Sequence, residues 1–132
     1  MNKEERVKYW VDIAEYDFET AKVMLKGGRR LYVAFMCHQV VEKMLKAYWC
    51  ATLDNEPPYI HNLNRLAAGS GLRSEMNEMQ CDFIETLTPM NIQARYPEYK
   101  DQLFRTLTPE LCEKIIDDTK EFMQWIKNKL SI

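Results

Sequence analysis

The stretch Leu31 to Cys50, LYVAFMCHQVVEKMLKAYWC, constrains the fold more than any other part of the chain. No proline or glycine interrupts it, and its length allows about five helical turns. Wound at 3.6 residues per turn, it places Met36, Ala47, Val40, Val33, Met44, Cys37, Tyr48, Val41, Ala34 and Leu45 on an arc roughly half the circumference wide. Glu42, Lys46, Gln39 and Lys43 fall on the other half, with Phe35 and Tyr32 set among them. So wide an apolar arc must touch more than one neighbour. The stretch therefore predicts the central helix of an all-helical domain. Aromatic rings among the charges are unusual for a purely solvated face and point to a partner or a ligand.

The flanking sequence supplies the neighbours. Val7, Trp10, Val11, Ala14, Phe18, Ala21 and Leu25 recur at helical steps and predict a first helix from Asn2 or Lys3 to Lys26. Gly27-Gly28 ends it, and so short a loop folds the next helix back antiparallel. Arg29 and Arg30 at the hairpin tip oppose the dipole of the second helix. They either stay solvated or serve something other than capping. Pro57-Pro58 break the chain, and Asn62 or His61 then caps a short helix through Ala68. Ser74 reads as the cap of a fourth helix running to about Leu87, and Thr108-Pro109-Glu110 as the start of a fifth that runs to the end of the chain. Between them Thr88 to Leu107, broken by Pro89 and Pro97, has no clean period. The expected fold is all-α, an up-and-down bundle of about five helices in one domain, residues 1–132.

A formal net charge of −2 gives no long-range basic field, so nucleic-acid binding would need a local patch. No apolar run approaches a membrane span, and MNKEERVKYW lacks a signal-peptide core, so a cytoplasmic chain with no membrane contact is expected. Cys37, Cys50, Cys81 and Cys112 form no C-x-x-C pair and stand at no zinc-finger spacing from His38 or His61. They read as buried reduced thiols, with no metal and no cofactor implied.

Arg95-Tyr96-Pro97 is the most pointed local feature. The proline keeps Tyr96 out of the helical region, and an arginine fork beside an aromatic face suits a phosphate and a base. The structural alternative is that Arg95 bridges to an acid while Tyr96 packs in the core. Gln39, Glu42, Lys43 and Lys46 form a stripe that is either solvated or a ligand surface, with Lys43 or Lys46 on a phosphate and Gln39 reading an edge. His38, at the border of the apolar arc, reads as a packed, hydrogen-bonded histidine. His61 follows a loop, is expected to be exposed, and is either a helix cap or an acid–base group.

These residues carry a resemblance to a known family. The run Phe35-x-x-His38-Gln39-Val40-Val41-Glu42-Lys43-x-Leu45-Lys46-Ala47 follows a Trp10-containing helix that ends in Gly27-Gly28. Then come His61-Asn62-Leu63 and Ala94-Arg95-Tyr96-Pro97. Together they resemble the HEPN domain, the higher eukaryotes and prokaryotes nucleotide-binding family, over nearly the whole chain. The resemblance implies a helical bundle that forms homodimers with a cleft between subunits. It also implies one of two settings. In one, relatives are metal-independent ribonucleases, often toxins, with an arginine followed four to six residues later by a histidine. Arg95 matches the arginine, but Lys100, Asp101 and Gln102 occupy the histidine positions. A ribonuclease reading then needs His61 or Lys100 as the acid–base group, a role that contributes about 10²–10⁴-fold. In the other, the domain accompanies a minimal nucleotidyltransferase in a toxin–antitoxin-like system, binding nucleotide or partner through Gln39, Glu42, Lys43, Lys46, Arg95 and Tyr96, with Tyr96 or Tyr99 as acceptor hydroxyls. A purely structural dimer or adaptor is the third reading.

Overall fold

The computed structural model describes residues 1–132, apart from the side chains of Gln93 and Pro97. The order of elements is α1 (Lys3–Lys26), α2 (Arg30–Thr52), α3 (Leu63–Gly69), a 3-10 turn (Leu72–Glu75), α4 (Glu78–Leu87), α5 (Met90–Gln93), α6 (Pro97–Thr106) and α7 (Pro109–Leu130). No strand occurs among the described residues.

The central role of α2 follows from its composition. It packs against α1 most extensively, then α7, and also touches α3, α4, α5 and α6. Nine of the ten residues on its apolar arc are buried, and Met36 is half-buried. Burial does not stop at the arc, because His38, Glu42 and Lys46 are buried as well. The hairpin to α1 turns at Gly28, whose φ of 71° lies in the left-handed region that glycine enters without a steric penalty. Ala14, Phe18 and Ala21 of α1 and Ile115, Phe122 and Ile126 of α7 complete the core with α2.

Local signals set the ends of the helices. Asn2 caps α1 by accepting from the Glu5 amide at 2.8 Å, Asn62 caps α3 by accepting from the Arg65 amide at 3.0 Å, and Thr108 caps α7 by accepting from the Leu111 amide at 3.1 Å. Each cap satisfies an amide that has no partner within its helix. His61 is therefore not the α3 cap. Ser74 is not the cap of α4 either. It lies in the 3-10 turn, and Asn77 caps α4 in a reciprocal box with Gln80. Two short helices, α5 and α6, occupy the segment that lacks a clear period. Pro97 begins α6 at its first turn, where a missing N–H costs nothing, and Tyr96 before it is extended at φ −104°, ψ 129°.

Arg30, at the hairpin tip, lays its guanidinium 4.1 Å from the centre of the Phe104 ring on α6. Its charge thus serves packing between helices. Cys37, Cys50 and Cys112 are buried free thiols, whereas Cys81 is half-exposed and its Sγ accepts from Arg73 Nε at 3.2 Å. Leu45 is fully buried on α2, whereas Tyr59 is fully exposed on the loop before α3. Leu45→Ala should destabilise the fold by about 2–5 kcal/mol in denaturant titration. Tyr59→Ala should stay within about 0.5 kcal/mol.

Candidate functional site

The polar half of α2 is largely enclosed, and its charges are paired. Glu42 is 3% exposed. Its Oε2 accepts from Lys46 Nζ at 3.2 Å, and its Oε1 lies 3.0 Å from Nδ1 of His61. Lys46 Nζ also stands 5.3 Å from the centre of the Trp10 ring on α1. A carboxylate and an ammonium leave water together only when each finds such partners, so these contacts are the condition for burial. Lys43, half-buried, donates to Asp17 Oδ2 on α1 at 2.8 Å and to Gln39 Oε1 at 3.0 Å. The stripe is thus not a freely solvated one.

His61 reaches Glu42 from the loop between α2 and α3, while its own side chain stays 63% exposed. In the tautomer that donates Nδ1–H to the carboxylate, Nε2 carries the ring's lone pair. This is the geometry by which a carboxylate orients a histidine for proton transfer. His38, one turn before Glu42, is fully buried, and neither ring nitrogen has a hydrogen-bond partner. Its Nδ1 is 3.8 Å from Glu42 Oε1, and the His61 backbone lies beside the ring without reaching hydrogen-bond geometry. The expected hydrogen-bonded core histidine is therefore packed but unbonded. Burial lowers its pKa from 6.5 to about 4, against the opposing pull of Glu42.

Arg95 and Tyr96 lie between α5 and α6. The Arg95 guanidinium stands 5.6 Å from the centre of the Phe35 ring on α2, and its Nε donates to the Asn91 carbonyl at 3.0 Å. Among the described residues no carboxylate pairs with it. The side chain is exposed, so the bridge to an acid does not form. Tyr96 is 48% exposed rather than packed in the core. Lys100, Asp101 and Gln102 lie on α6.

Phe35 and Glu42 are seven residues apart and share one side of α2, about 10 Å along its axis. Arg95, over Phe35, and His61, on Glu42, therefore flank the same side with His38 between them. Arg95 and α2 do meet, but through Phe35, and Lys43 turns instead toward α1. Asp17, Trp10, Phe35 and Asn91 are participants that the sequence reading does not single out as site residues. Asp17 leaves a signal, since it is an acid beside Phe18 at the edge of the α1 apolar stripe. Among the described residues no group of three or more His, Cys, Asp and Glu is placed to hold a metal ion.

The architecture is shared. The crystal structure of TT1696 from Thermus thermophilus superposes with a TM-score of 0.81 at 22% identity, covering 98% of this chain and 99% of that one. At that identity the likeness speaks for the fold alone. The model of the HEPN domain matches residues 7–129, and the chain belongs to that family. No curated protein sequence matches the chain. No helix is long and apolar enough to cross a membrane.

The burial of neutral His38 has a thermodynamic consequence. The unfolded chain takes up a proton on His38 near pH 6.5, and the folded one only near pH 4. Stability from this group is therefore complete above pH 6.5 and is lost as pH falls toward 4, by an upper bound of ~3 kcal/mol. The charges of Glu42, His61 and Lys43 act on the same ring. His38→Leu should flatten the stability profile between pH 6.5 and 4 in urea melts. An unchanged slope would mean that His38 is hydrated in the folded state.

Proposed function

We propose that this chain is a helical module that binds a nucleotide or a nucleotide-bearing partner on the α2 face between Arg95 and His61. The observation that carries this reading is Arg95, an exposed guanidinium with no carboxylate partner among the described residues, held over Phe35 and joined to the exposed Tyr96. A planar fork fixed by an aromatic ring is preorganised for phosphate, and Tyr96 offers a face for a base. Gln39, Glu42, Lys43 and Lys46 form the charged wall behind them. Lys43 and Lys46 are engaged with Asp17 and Glu42, so they add field rather than free contacts. Membership of a nucleotide-binding family supports the same ligand class. On this reading the physiological setting is a cytoplasmic homodimer beside a minimal nucleotidyltransferase, as in toxin–antitoxin-like systems, with Tyr96 or Tyr99 as a hydroxyl for modification.

Thermal melts with ATP and GTP test the binding. Ligand at about a hundred times its Kd raises stability by about 2.7 kcal/mol. Arg95→Ala should abolish that shift while the variant without nucleotide still melts cooperatively. A shift that survives in the variant places the ligand elsewhere.

A second reading is favoured by a separate observation, the 3.0 Å contact that orients His61 on Glu42. His61 then stands in for the histidine absent from α6, and the chain is a metal-independent ribonuclease. Labelled RNA incubated in EDTA should be cleaved by the native chain and spared by Arg95→Ala and by His61→Ala. Intact RNA in every lane would eliminate this reading and leave the binding module.

A further inference from the structure

Helix α1 carries a second apolar line besides the one it buries. Tyr9, Ile13, Tyr16, Thr20 and Val23 recur at steps of four, three, four and three residues. On a helix they share an arc about 80° wide, on the side opposite Ala14, Phe18 and Ala21, which face the core. Tyr9, Tyr16 and Val23 are 48%, 75% and 63% exposed, and Ile13 and Thr20 are half-buried. Apolar residues scattered singly over a surface carry no message. A line kept in heptad step along one helix is different, because it is the seam on which a second helix packs.

The charges along α1 decide which helix fits. Most of them are already paired, within the helix (Lys8 with Asp12 at 2.7 Å, Lys22 with Glu19 at 2.9 Å) or with other elements. Among the described residues, the charges of α1 without an ion-pair partner are Glu4 and Glu5 in its first turn and Lys26 in its last. Uncompensated charge is therefore negative at one end of the seam and positive at the other. Tyr16 lies midway between Tyr9 and Val23. An identical helix laid antiparallel about Tyr16 sets Tyr9 level with Val23 and brings Glu5 to within about 1.5 Å of the level of Lys26, at both ends of the seam. A parallel copy would set Glu5 against Glu5 and Lys26 against Lys26, and like charges so placed oppose association.

We propose that the outward line of α1 is a contact between two copies of this chain, whose α1 helices pack antiparallel about a two-fold axis at Tyr16. Each copy offers the same patch, so the contact closes at two members and leaves no free seam. The seam from Tyr9 to Val23 is about 21 Å long, short for a coiled coil, and the association belongs with the weaker class of interface. It shares no residue with the α2 face between Arg95 and His61. The inference therefore goes beyond the binding proposed for that face and stands whether or not a nucleotide binds there.

Sedimentation equilibrium of the full chain at about 100 μM should give at least twice the 15.7 kDa of one copy. Tyr16→Glu, which sets two carboxylates together at the axis, should halve that mass. Tyr16 lies outside the core, so the variant should still melt cooperatively. The same mass in both chains would overturn the contact. Cross-linking then reads the register. With oxidised glutathione, Tyr16→Cys should join to its own copy at least about tenfold faster than Tyr59→Cys, a fully exposed position on another element. In a mixture of the two variants, Tyr9→Cys should join to Val23→Cys faster than to itself. Peptide mass spectrometry separates these bridges from any made by the half-exposed Cys81. Tyr16→Cys linking no faster than Tyr59→Cys would overturn the two-fold axis. Tyr9→Cys linking to itself faster than to Val23→Cys would show a parallel pair and overturn the antiparallel register.

Discussion

The structure depends on one carboxylate being satisfied away from water. Glu42 lies in the middle of the helix that every other helix touches, and a bare charge there would be incompatible with the bundle. Lys46 one turn on, Trp10 behind Lys46, and His61 from the following loop make it tolerable. The polar half of α2 is thereby turned into a second, electrostatic core. That core fixes where α1 lies, through Trp10, and where the chain returns before α3, through His61. Removing Glu42 or Lys46 leaves the other buried without its charge partner, the situation in which a buried ion pair weighs most heavily.

Arg95 is built on the opposite principle. Its position comes from a ring face and a backbone carbonyl, neither of which neutralises it. The same device recurs at Arg30 over Phe104. Together the two stacks fasten the irregular segment to α2 without consuming the positive charge. Arg95 is therefore held in place while its charge remains available. This distinction separates it from Lys43 and Lys46, which resemble it in charge and differ in how that charge is engaged.

Most of the architecture is legible in the chain. The apolar arc of α2, the stripe of α1, the glycine hairpin and the Thr108-Pro109 start of α7 are dictated by periodicity and capping chemistry, which act over a few residues. What is not legible depends on contacts between distant residues. The α2 charges read equally well as a solvated stripe because their partners, Asp17, Trp10 and His61, lie in other elements. His38 reads as hydrogen-bonded because only the fold shows that nothing reaches it. Residues Thr88 to Leu107 read as irregular because two prolines each mark a break, while one of them also starts a helix whose stabilising partners lie on α2. Ser74 reads as the α4 cap because serine is a good one, but Asn77 is another, and the box with Gln80 decides between them. At the site, Arg95, Tyr96 and His61 are identifiable by residue type, but the side of α2 that joins them is not.

That α2 serves as the common neighbour also governs the order in which the molecule can assemble. Its partner α1 precedes it by a three-residue turn, so the first hairpin forms from local contacts as soon as both helices exist. Its next most extensive partner, α7, is the last helix in the chain. Until α7 is made, the side of α2 that carries Cys37 faces water, and a growing chain presents an apolar surface to anything nearby. During synthesis the domain is therefore half-finished for most of its length, and its sealing waits on Pro109–Leu130.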